Sequence, residues 1–234
     1  MERLVILTGA GISAESGLGT FRDKDGLWTR HDLSEVATPE GFSRNPKRVL
    51  DFYNARRANS RAAAPNPAHE ALVRLEQSYL GEMLIVTQNV DDLHERAGSR
   101  NVLHMHGTLE GALCAACGHR WPAPAIQRPQ DPCPACTTAQ ARPDIVWFGE
   151  YPYHMEDIWQ ALRRADAFVA IGTSGTVYPA AAFAQDAGRA GAFCLELNAE
   201  ASAVAPDFDE VRLGPASRIV PDWVAEVLAR GRVL

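Results

Sequence analysis

Short apolar runs alternate along the chain with segments of helical periodicity. The apolar runs have the length of buried strands and lie at 3–8, 82–87, 101–106, 144–148, 166–171 and 192–197. The helical segments lie at 46–59, 67–79, 155–165, 179–189 and 221–230, and the first two are opened by Asn-Pro, a typical helix start. This alternation predicts an α/β fold with a parallel sheet.

Two stretches interrupt the alternation. Residues 19–45 form a polar segment that contains glycine, and residues 107–142 are rich in cysteine, proline and alanine without a clear period. We expect both to be insertions that stand together as a second, smaller domain. A chain of 234 residues has room for one large domain that carries such a module.

The composition narrows the choice of partners and compartment. The net charge of −6 argues against general binding to nucleic acid or to anionic membranes. No apolar run reaches the roughly 18 residues of a membrane helix, and the run after Met1 is too short for a signal peptide. We therefore expect a cytoplasmic protein whose cysteines are thiols or metal ligands.

Four of the five cysteines form two C-x2-C pairs. Cys114 and Cys117 make the first pair, Cys133 and Cys136 make the second, and fifteen residues lie between them. This spacing is typical of a zinc ribbon in which four thiolates close a tetrahedron, so the zinc would be structural. Two disulfides are the alternative. Cys194 lies inside a predicted strand and is interpreted as a core thiol.

Small and polar residues follow several of the predicted strands. Gly9, Gly11 and Ala14 match G-x-G-x-x-G/A after the first strand, and GTSGT follows the strand 166–171. The first motif lacks the acidic residue that a dehydrogenase carries about 20 residues later. Because the carboxyl ends of parallel strands meet at one edge, these loops together predict a dinucleotide site better than either does alone.

A histidine pair lies in the predicted strand 101–106. His104 and His106 alternate and are expected to share a face, with His106 at the strand tip. A lone strand histidine is more often structural than catalytic. The neighbouring strand ends in TQNVDD, whose amides and carboxylates would reach the same rim, and this makes His106 the candidate catalytic residue.

The helix 46–59 carries a charge where a leucine is expected. Val49, Phe52 and Tyr53 fall at i, i+3 and i+4, and Arg56 occupies i+7. One explanation is an ion pair with a buried carboxylate of the protein. The other is that Arg56 holds an anionic ligand.

The motifs GAGISAESGLGTFR, TQNVDDLH, HMHG, the two C-x2-C pairs, GTSGTVYPAA and LELNAE resemble the sirtuin family of NAD-dependent protein lysine deacylases. The closest likeness is to bacterial sirtuins and to the class III branch that removes succinyl and malonyl groups. The resemblance implies a Rossmann-like domain (1–25, 61–106 and 143–234) and a small domain (26–60 and 107–142) that combines a helical module with a zinc ribbon. One structural zinc per chain is implied, and an acyl-lysine would enter between the domains.

The resemblance also assigns site residues. The implied NAD contacts are Gly9, Ala10, Gly11, Ile12, Glu15, Thr20, Phe21, Arg22, Trp28, Gln88, Asn89, Val90, Asp91, Gly172, Thr173, Ser174, Asn198, Ala199, Glu200 and Ala216. The implied substrate contacts are Ala37, Tyr53, Arg56, Val146, Phe148, Gly149 and Glu150. His106 would act as general base on a ribose hydroxyl, and the products would be nicotinamide, O-acyl-ADP-ribose and free lysine.

In the class III branch a Tyr-x-x-Arg pair reads the acyl carboxylate, and Tyr53 and Arg56 match it, with Ala37 leaving room for a longer acyl chain. Gly19 departs from the proline that many relatives carry there. Three alternatives are a mono-ADP-ribosyltransferase, a non-catalytic NAD-responsive zinc module that binds acyl-lysine, and, as the weakest, a nicotinamide dehydrogenase. The expected partners are acyl-lysine proteins or peptides, and the oligomeric state is left open, a monomer being compatible with the sequence.

Overall fold

The computed structural model describes residues 2–19 and 32–233. Its strands are β1 (Arg3–Thr8), β2 (Glu82–Thr87), β3 (Val102–His104), β4 (Gly107–Cys114), β5 (Arg120–Pro122), β6 (Ala141–Ile145), β7 (Ala167–Ile171), β8 (Phe193–Asn198) and β9 (Glu210–Leu213). Its α-helices are α1 (Ala10–Ser13), α2 (Leu33–Val36), α3 (Pro39–Arg44), α4 (Pro46–Ala62), α5 (Pro67–Ser78), α6 (Leu93–Ala97), α7 (Met155–Arg164), α8 (Phe183–Arg189) and α9 (Ala216–Arg230). Short 3₁₀ segments lie at Ala14–Ser16, Ala180–Ala182 and Ala205–Asp207.

Six strands form a parallel sheet in the order β3-β2-β1-β7-β8-β9, which confirms the predicted α/β class. The chain runs outward from β1 in one direction and from β7 in the other, so the order reverses between these two strands. Thr8 at the end of β1 pairs with Ile171 at the end of β7. Ligands of open α/β sheets bind at this kind of switch point.

The sheet is buried on both faces, which explains why its central strands read as continuous apolar runs. Leu4 and Ile6 point to one face, where they pack with residues of α5 and α9. Val5 and Leu7 point to the other face, where they pack with residues of α7 and α8. Both layers hold the carboxyl ends of the strands in fixed positions.

A second sheet is antiparallel, in the order β5-β4-β6. The predicted strand 144–148 is wrong in its bounds and its sheet, because the extended segment is Ala141–Ile145 and pairs with β4. Its register is set by a long-range partner that the local pattern does not contain. A separate core cluster joins this sheet to α2 and α4 through residues such as Val36, Val49 and Leu109. The domain boundaries given above stay a prediction.

Three local expectations differ from the structure. β3 ends at His104, so His106 lies in the turn after the strand and not within it. On α4 the buried stripe continues through Arg57, which is fully buried, while Arg56 on its flank is half-buried. Helix α9 begins at Ala216, and Pro221 lies inside it instead of opening it. Among the helices of residues 2–19 and 32–233, none has the length and apolar character needed to cross a bilayer.

Candidate active site

A cavity of about 660 Å³ opens at the switch point of the parallel sheet. The loops after β1, β2, β7 and β8 form one end of it, and α4 with the segment after β6 forms the other. Of the residues predicted from the sequence, its lining contains Gly9, Ala10, Gly11, Ala37, Tyr53, Arg56, Gln88, Asn89, Val90, Asp91, His106, Val146, Phe148, Gly149, Glu150, Gly172, Thr173, Ser174, Asn198, Ala199 and Glu200.

The two glycine loops touch each other through their backbones. The Gly11 N–H donates to the Gly172 carbonyl at 2.9 Å, and a Cβ on Gly11 would lie 2.6 Å from the Gly172 Cα. Gly172 itself has φ +62°, a conformation that side chains with a Cβ rarely adopt. The cradle therefore depends on glycine on both sides, and it presents a backbone surface that a pyrophosphate can approach closely.

Asn89 and Asp91 are fixed to the helix that follows the first glycine loop. The Asn89 side-chain N–H2 donates to the Gly9 carbonyl at 3.1 Å and to the Ser13 hydroxyl at 3.2 Å. The Ser13 hydroxyl donates to Asp91 Oδ2 at 3.3 Å. Burial raises the pKa of Asp91, although hydrogen bonds from Leu93 and Ser13 favour the charged form. Ser13 was not predicted, because only contact across 78 positions shows its role.

The two histidines near the end of β3 have different surroundings. His106 lines the cavity, and its Nδ1 lies 3.1 Å from the Gln88 carbonyl oxygen. Burial lowers the pKa of His106, although the Gln88 carbonyl partly offsets this effect. A carbonyl only accepts, so Nδ1 carries the proton and Nε2 is left as the basic nitrogen.

His104 is bonded at both ring nitrogens, to the Asn89 carbonyl oxygen at 3.1 Å and to Glu95 Oε1 at 2.7 Å. Burial alone would lower the pKa of His104, but the hydrogen bond and charge of Glu95 outweigh it, so the pKa is raised. Two acceptors favour the imidazolium form. His104 is absent from the cavity lining, and its two hydrogen bonds give it a structural role.

Asn198, at the end of β8, lines the cavity beside the second glycine loop. Its side-chain N–H2 donates to the Thr173 carbonyl at 2.7 Å and to Glu196 Oε1 at 3.0 Å. Glu196 is fully buried and also accepts from the Ser202 N–H at 2.9 Å. These bonds fix which face of the Asn198 amide meets a ligand.

Some predicted residues lie elsewhere. Ile12 and Ala216 belong to the hydrophobic core under the glycine loop, outside the cavity lining. Glu15 accepts from the N–H and the hydroxyl of Ser217 at 2.8 and 2.6 Å, which ties α9 to the segment after α1. Thr20, Phe21, Arg22 and Trp28 lie outside the described residues.

The opposite end of the cavity is built by α4 and by the segment after β6. The guanidinium carbon of Arg56 lies 5.8 Å from the ring centres of both Phe52 and Tyr53. Burial lowers the pKa of Arg56, while the charge of Asp91 raises it, and arginine stays protonated in such sites. Burial raises the pKa of Tyr53, so its hydroxyl keeps its proton. This end of the cavity presents a cation and a protonated hydroxyl side by side.

The segment after β6 connects both ends. The Val146 N–H donates to the His106 carbonyl at 2.9 Å, and the Phe148 N–H donates to the Ala37 carbonyl at 3.0 Å. Trp147, which was not predicted, donates its indole N–H to the Tyr53 oxygen at 3.0 Å. The histidine and the small residue at position 37 are thus held by neighbouring peptide groups of one loop.

The four cysteines of the ribbon come together at the ends of β4 and β6. Their sulfur atoms all lie within 4.8 Å of one another, and the Sγ atoms of Cys114 and Cys136 are 3.6 Å apart. Zn–S bonds of ~2.3 Å place tetrahedral sulfurs about 3.8 Å apart, whereas a disulfide needs about 2 Å. All four are free thiols, so the donor set fits zinc and excludes the disulfide alternative for this structure.

A parallel sheet with a dinucleotide-sized cavity at its switch point, beside a four-cysteine ribbon, defines a nucleotide-binding α/β protein with a structural metal module. The model of the Sir2 family matches residues 9–179. The chain belongs to the Sir2 family.

Individual relatives cover nearly the whole chain. The NAD-dependent protein deacylase of Caulobacter vibrioides is 56% identical over 232 residues, which is 97% of this chain and 98% of the relative. A solved complex of a Sir2 homologue mutant with ADP-ribose has TM-score 0.92 and 38% identity, over 97% of this chain and 92% of that chain. A Sir2 homologue solved with NAD has TM-score 0.90 and 38% identity, over 98% of this chain and 90% of that chain.

Proposed function

We propose that this protein is an NAD-dependent protein deacylase that removes acetyl, succinyl and malonyl groups from lysine side chains. Its products are nicotinamide, O-acyl-ADP-ribose and free lysine. The observation that carries the proposal is a single cavity lined by both glycine loops, by His106, and by Tyr53 with Arg56. The name of the Caulobacter vibrioides relative and the NAD complex of a Sir2 homologue support the same reading.

The glycine cradle at Gly11 and Gly172 suits a dinucleotide, because only the absence of side chains lets a pyrophosphate reach the backbone. When bound, NAD supplies an anomeric carbon whose bond to nicotinamide can break. Asn89 and Asp91 lie on the rim between this cradle and His106, where they hold the nicotinamide side in place. Asn198 holds the adenosine side with an amide whose orientation is fixed by Glu196.

His106 is the general base. Its Nδ1–H is engaged with the Gln88 carbonyl, so Nε2 is free to accept a proton from a ribose hydroxyl. Because burial lowers the pKa of His106, the imidazole is neutral near pH 7 and able to act as a base.

Tyr53 and Arg56 recognise an acidic acyl group. Both side chains lie on one side of α4, and both line the cavity. A guanidinium can bind a carboxylate through two parallel hydrogen bonds, and the neutral hydroxyl of Tyr53 can donate a third. Ala37 provides space beside them for an acyl chain longer than acetyl.

Zinc has a structural role in this proposal. Four cysteine thiolates complete a tetrahedral shell and leave no open position for substrate or water. Cys114, Cys117, Cys133 and Cys136 would hold the ion, and the ribbon they close carries β4, which packs against α4 through Leu109.

The proposal is tested with a panel of acetyl-, malonyl- and succinyl-lysine peptides plus NAD, by measuring nicotinamide release and identifying products by mass spectrometry. We expect release that depends on acyl-lysine, together with O-acyl-ADP-ribose and free lysine. ADP-ribosylated protein as the main product would instead identify an ADP-ribosyltransferase. Binding of acyl-lysine without nicotinamide release would identify a non-catalytic module.

A variant of Arg56 tests its role in recognising the acyl carboxylate. Arg56→Met should lower the ratio of succinyl to acetyl kcat/KM by about 30- to 150-fold, the loss of about 2 to 3 kcal/mol for a charge-assisted pair. Arg61→Met is the matched control, because Arg61 lies on the same helix but is paired with Glu110 at the surface. An equal loss on both peptides in Arg56→Met would remove Arg56 from acyl recognition.

A further inference from the structure

Trp147 crosses from the segment after β6 to the side chain of Tyr53 on α4. Its indole Nε1–H donates to the Tyr53 oxygen at 3.0 Å, and the two residues are only 3% and 1% exposed. Water cannot readily replace a hydrogen bond between two buried partners. The hydrogen bond therefore fixes the orientation of both side chains. Both side chains also line the cavity.

The direction of this bond decides what Tyr53 can do. An indole N–H only donates, so the Tyr53 oxygen must accept, and its own proton needs a different acceptor. Arg56, the charged neighbour of Tyr53, is also only a donor. Within residues 2–19 and 32–233 no protein group accepts from the Tyr53 hydroxyl. Among these residues the hydroxyl proton therefore has no acceptor, and a ligand carboxylate, which only accepts, is its complement.

Trp147 is itself held on three sides. Its backbone N–H donates to Glu150 Oε2 at 2.8 Å, and the guanidinium carbon of Arg142 lies 3.5 Å from the ring centre. Arg142 in turn binds both oxygens of Glu150, at 2.6 and 2.8 Å. Phe42 packs on the indole with its ring centre 5.3 Å away. The indole therefore cannot swing away from Tyr53 without breaking a bidentate ion pair or its stacking contact.

We infer that Trp147 is a positioning residue for acyl selectivity, because its indole N–H directs the Tyr53 hydroxyl proton toward the carboxylate of an acidic acyl-lysine. The inference rests on the proposed function, in which Tyr53 and Arg56 bind that carboxylate. In this inference the indole N–H of Trp147 does not contact the ligand. Trp147 acts on acyl selectivity through Tyr53. It also gives the Arg142–Glu150 pair a purpose, which is to hold the indole in place.

The test replaces the N–H and keeps the ring. Incorporation of 3-benzothienylalanine at position 147 puts sulfur where the indole has N–H and preserves the shape, and Trp147→Phe is the genetically simple alternative. Either change should lower the ratio of succinyl to acetyl kcat/KM by about three- to tenfold, as expected for one neutral hydrogen bond. Phe42→Leu disturbs the packing of the same indole without removing its N–H, and it should leave the ratio within about twofold.

A double-mutant cycle separates positioning from packing. In a Tyr53→Phe background the benzothienyl replacement should have no further effect on the ratio, because the hydroxyl it orients is gone. An equal loss in both backgrounds, or an unchanged ratio in the single replacement, would overturn the inference. If Tyr53→Phe and Arg56→Met themselves leave the ratio unchanged, the acyl part of the proposed function fails instead. Thermal melting of each variant identifies any that does not fold.

Discussion

The Nδ1–H of His106 is donated to the backbone carbonyl oxygen of Gln88, 3.1 Å away. This contact assigns the tautomer, since a carbonyl cannot donate, and it makes Nε2 the basic nitrogen in the cavity. His104, two residues earlier, has an acceptor at each nitrogen and a raised pKa. The pKa values of the two histidines are thus shifted in opposite directions, because Glu95 faces the ring of His104 while a single carbonyl faces the ring of His106.

The proposed base makes the rate depend on pH in a defined direction. Burial lowers the pKa of His106, so the neutral form persists below the ordinary histidine value of about 6.5. We expect kcat/KM to be flat near pH 7 and to fall only when the pH drops below about 6.5. His106→Tyr should abolish acyl-dependent turnover to O-acyl-ADP-ribose while thermal melting shows a folded protein.

The control for that profile is His104→Gln. His104 lies outside the cavity lining, so the acid limb of the profile should stay where it is in the unmodified protein. If His104→Gln removes the limb, or if His106→Tyr keeps acyl-dependent turnover, His106 is not the base.

Gly11 is predicted to be indispensable for NAD binding. In Gly11→Ala the new Cβ would lie 2.6 Å from the Gly172 Cα and 2.8 Å from its carbonyl oxygen, so the two loops must separate. We expect at least about a tenfold loss of NAD affinity by calorimetry, since a displacement of a few tenths of an ångström disturbs several backbone contacts at once. Gly188→Ala is the control, because its Cβ would meet only the Cys194 sulfur at 3.7 Å. Equal affinities in both variants would contradict the cradle.

The sequence predicts β1, β2, β7 and β8 because these central strands are largely buried and therefore read as unbroken apolar runs. The edge strand β9 alternates between half-buried and exposed residues, and the sequence pattern does not predict it. The small sheet is different. β4 and β6 mix glycine, proline and charged residues, and Arg142 and Asp144 are buried with their own polar partners. β6 pairs with β4, which lies on the other side of the cysteine-containing segment, and no short-range pattern contains that pairing. The sequence pattern of 144–148 therefore predicts the wrong sheet.

The site residues also fall into two groups, those with a local sequence signal and those whose role depends on a distant partner. Glycine loops and strand-end polar residues are local signals, and they were predicted. The role of Trp147 depends on a partner 94 positions away, and the role of Ser13 on one 78 positions away. On α4, helical spacing from Val49 places both Arg56 (i+7) and Arg57 (i+8) near the buried face and does not show which of them is more buried. In the structure Arg57 is fully buried and Arg56 is half-buried.

Arg57 is predicted to be a stability residue. Its Nε donates to the Leu109 carbonyl at 2.6 Å, and its Nη groups reach Asn54 and Gln127 at 3.0 and 3.3 Å. Arg57→Met keeps the apolar stem but leaves buried acceptors without donors, so it should cost about 2 to 4 kcal/mol in the free energy of unfolding. Urea unfolding measures this.

The neighbouring surface arginine supplies the comparison. Arg61→Met removes an exposed pair with Glu110 and should cost less than about 1 kcal/mol. A loss in Arg57→Met no larger than that of Arg61→Met would mean that the buried network contributes nothing beyond an ordinary surface pair.

The ribbon is predicted to bind one zinc per chain. Removing two ligands in Cys133→Ser/Cys136→Ser should abolish stoichiometric zinc in elemental analysis and lower the melting temperature, because metal binding contributes to folding. Cys194→Ala changes a buried thiol that is bonded to the Ala184 and Ala192 carbonyls, and this variant should keep its zinc. Stoichiometric zinc in the double variant after dialysis against a chelator would show that the ion binds elsewhere.

A buried histidine pair should make the fold sensitive to acid. His69 and His94 are 0% and 1% exposed, with ring centres 5.0 Å apart. Burial lowers the pKa of His69 to about 4 and that of His94 well below its ordinary value. Since the unfolded chain binds these protons near pH 6.5 and the folded chain does not, stability is complete above about pH 6.5 and falls as the pH decreases toward 4.

For His69 alone, the change from pH 7 to pH 5 should cost about 2 kcal/mol in the free energy of unfolding. In His69→Gln the amide oxygen can still accept from the Asn66 N–H, which His69 Nδ1 accepts at 3.3 Å, so the helix start is preserved while the titration is removed. Urea unfolding at both pH values should therefore show a smaller acid loss in His69→Gln, by about 2 kcal/mol. His154→Asn removes an exposed histidine in a left-handed conformation that asparagine tolerates, and its acid loss should equal that of the unmodified protein. Acid release of zinc affects all three proteins alike, so an unchanged loss in His69→Gln would mean that this histidine is not charged on unfolding.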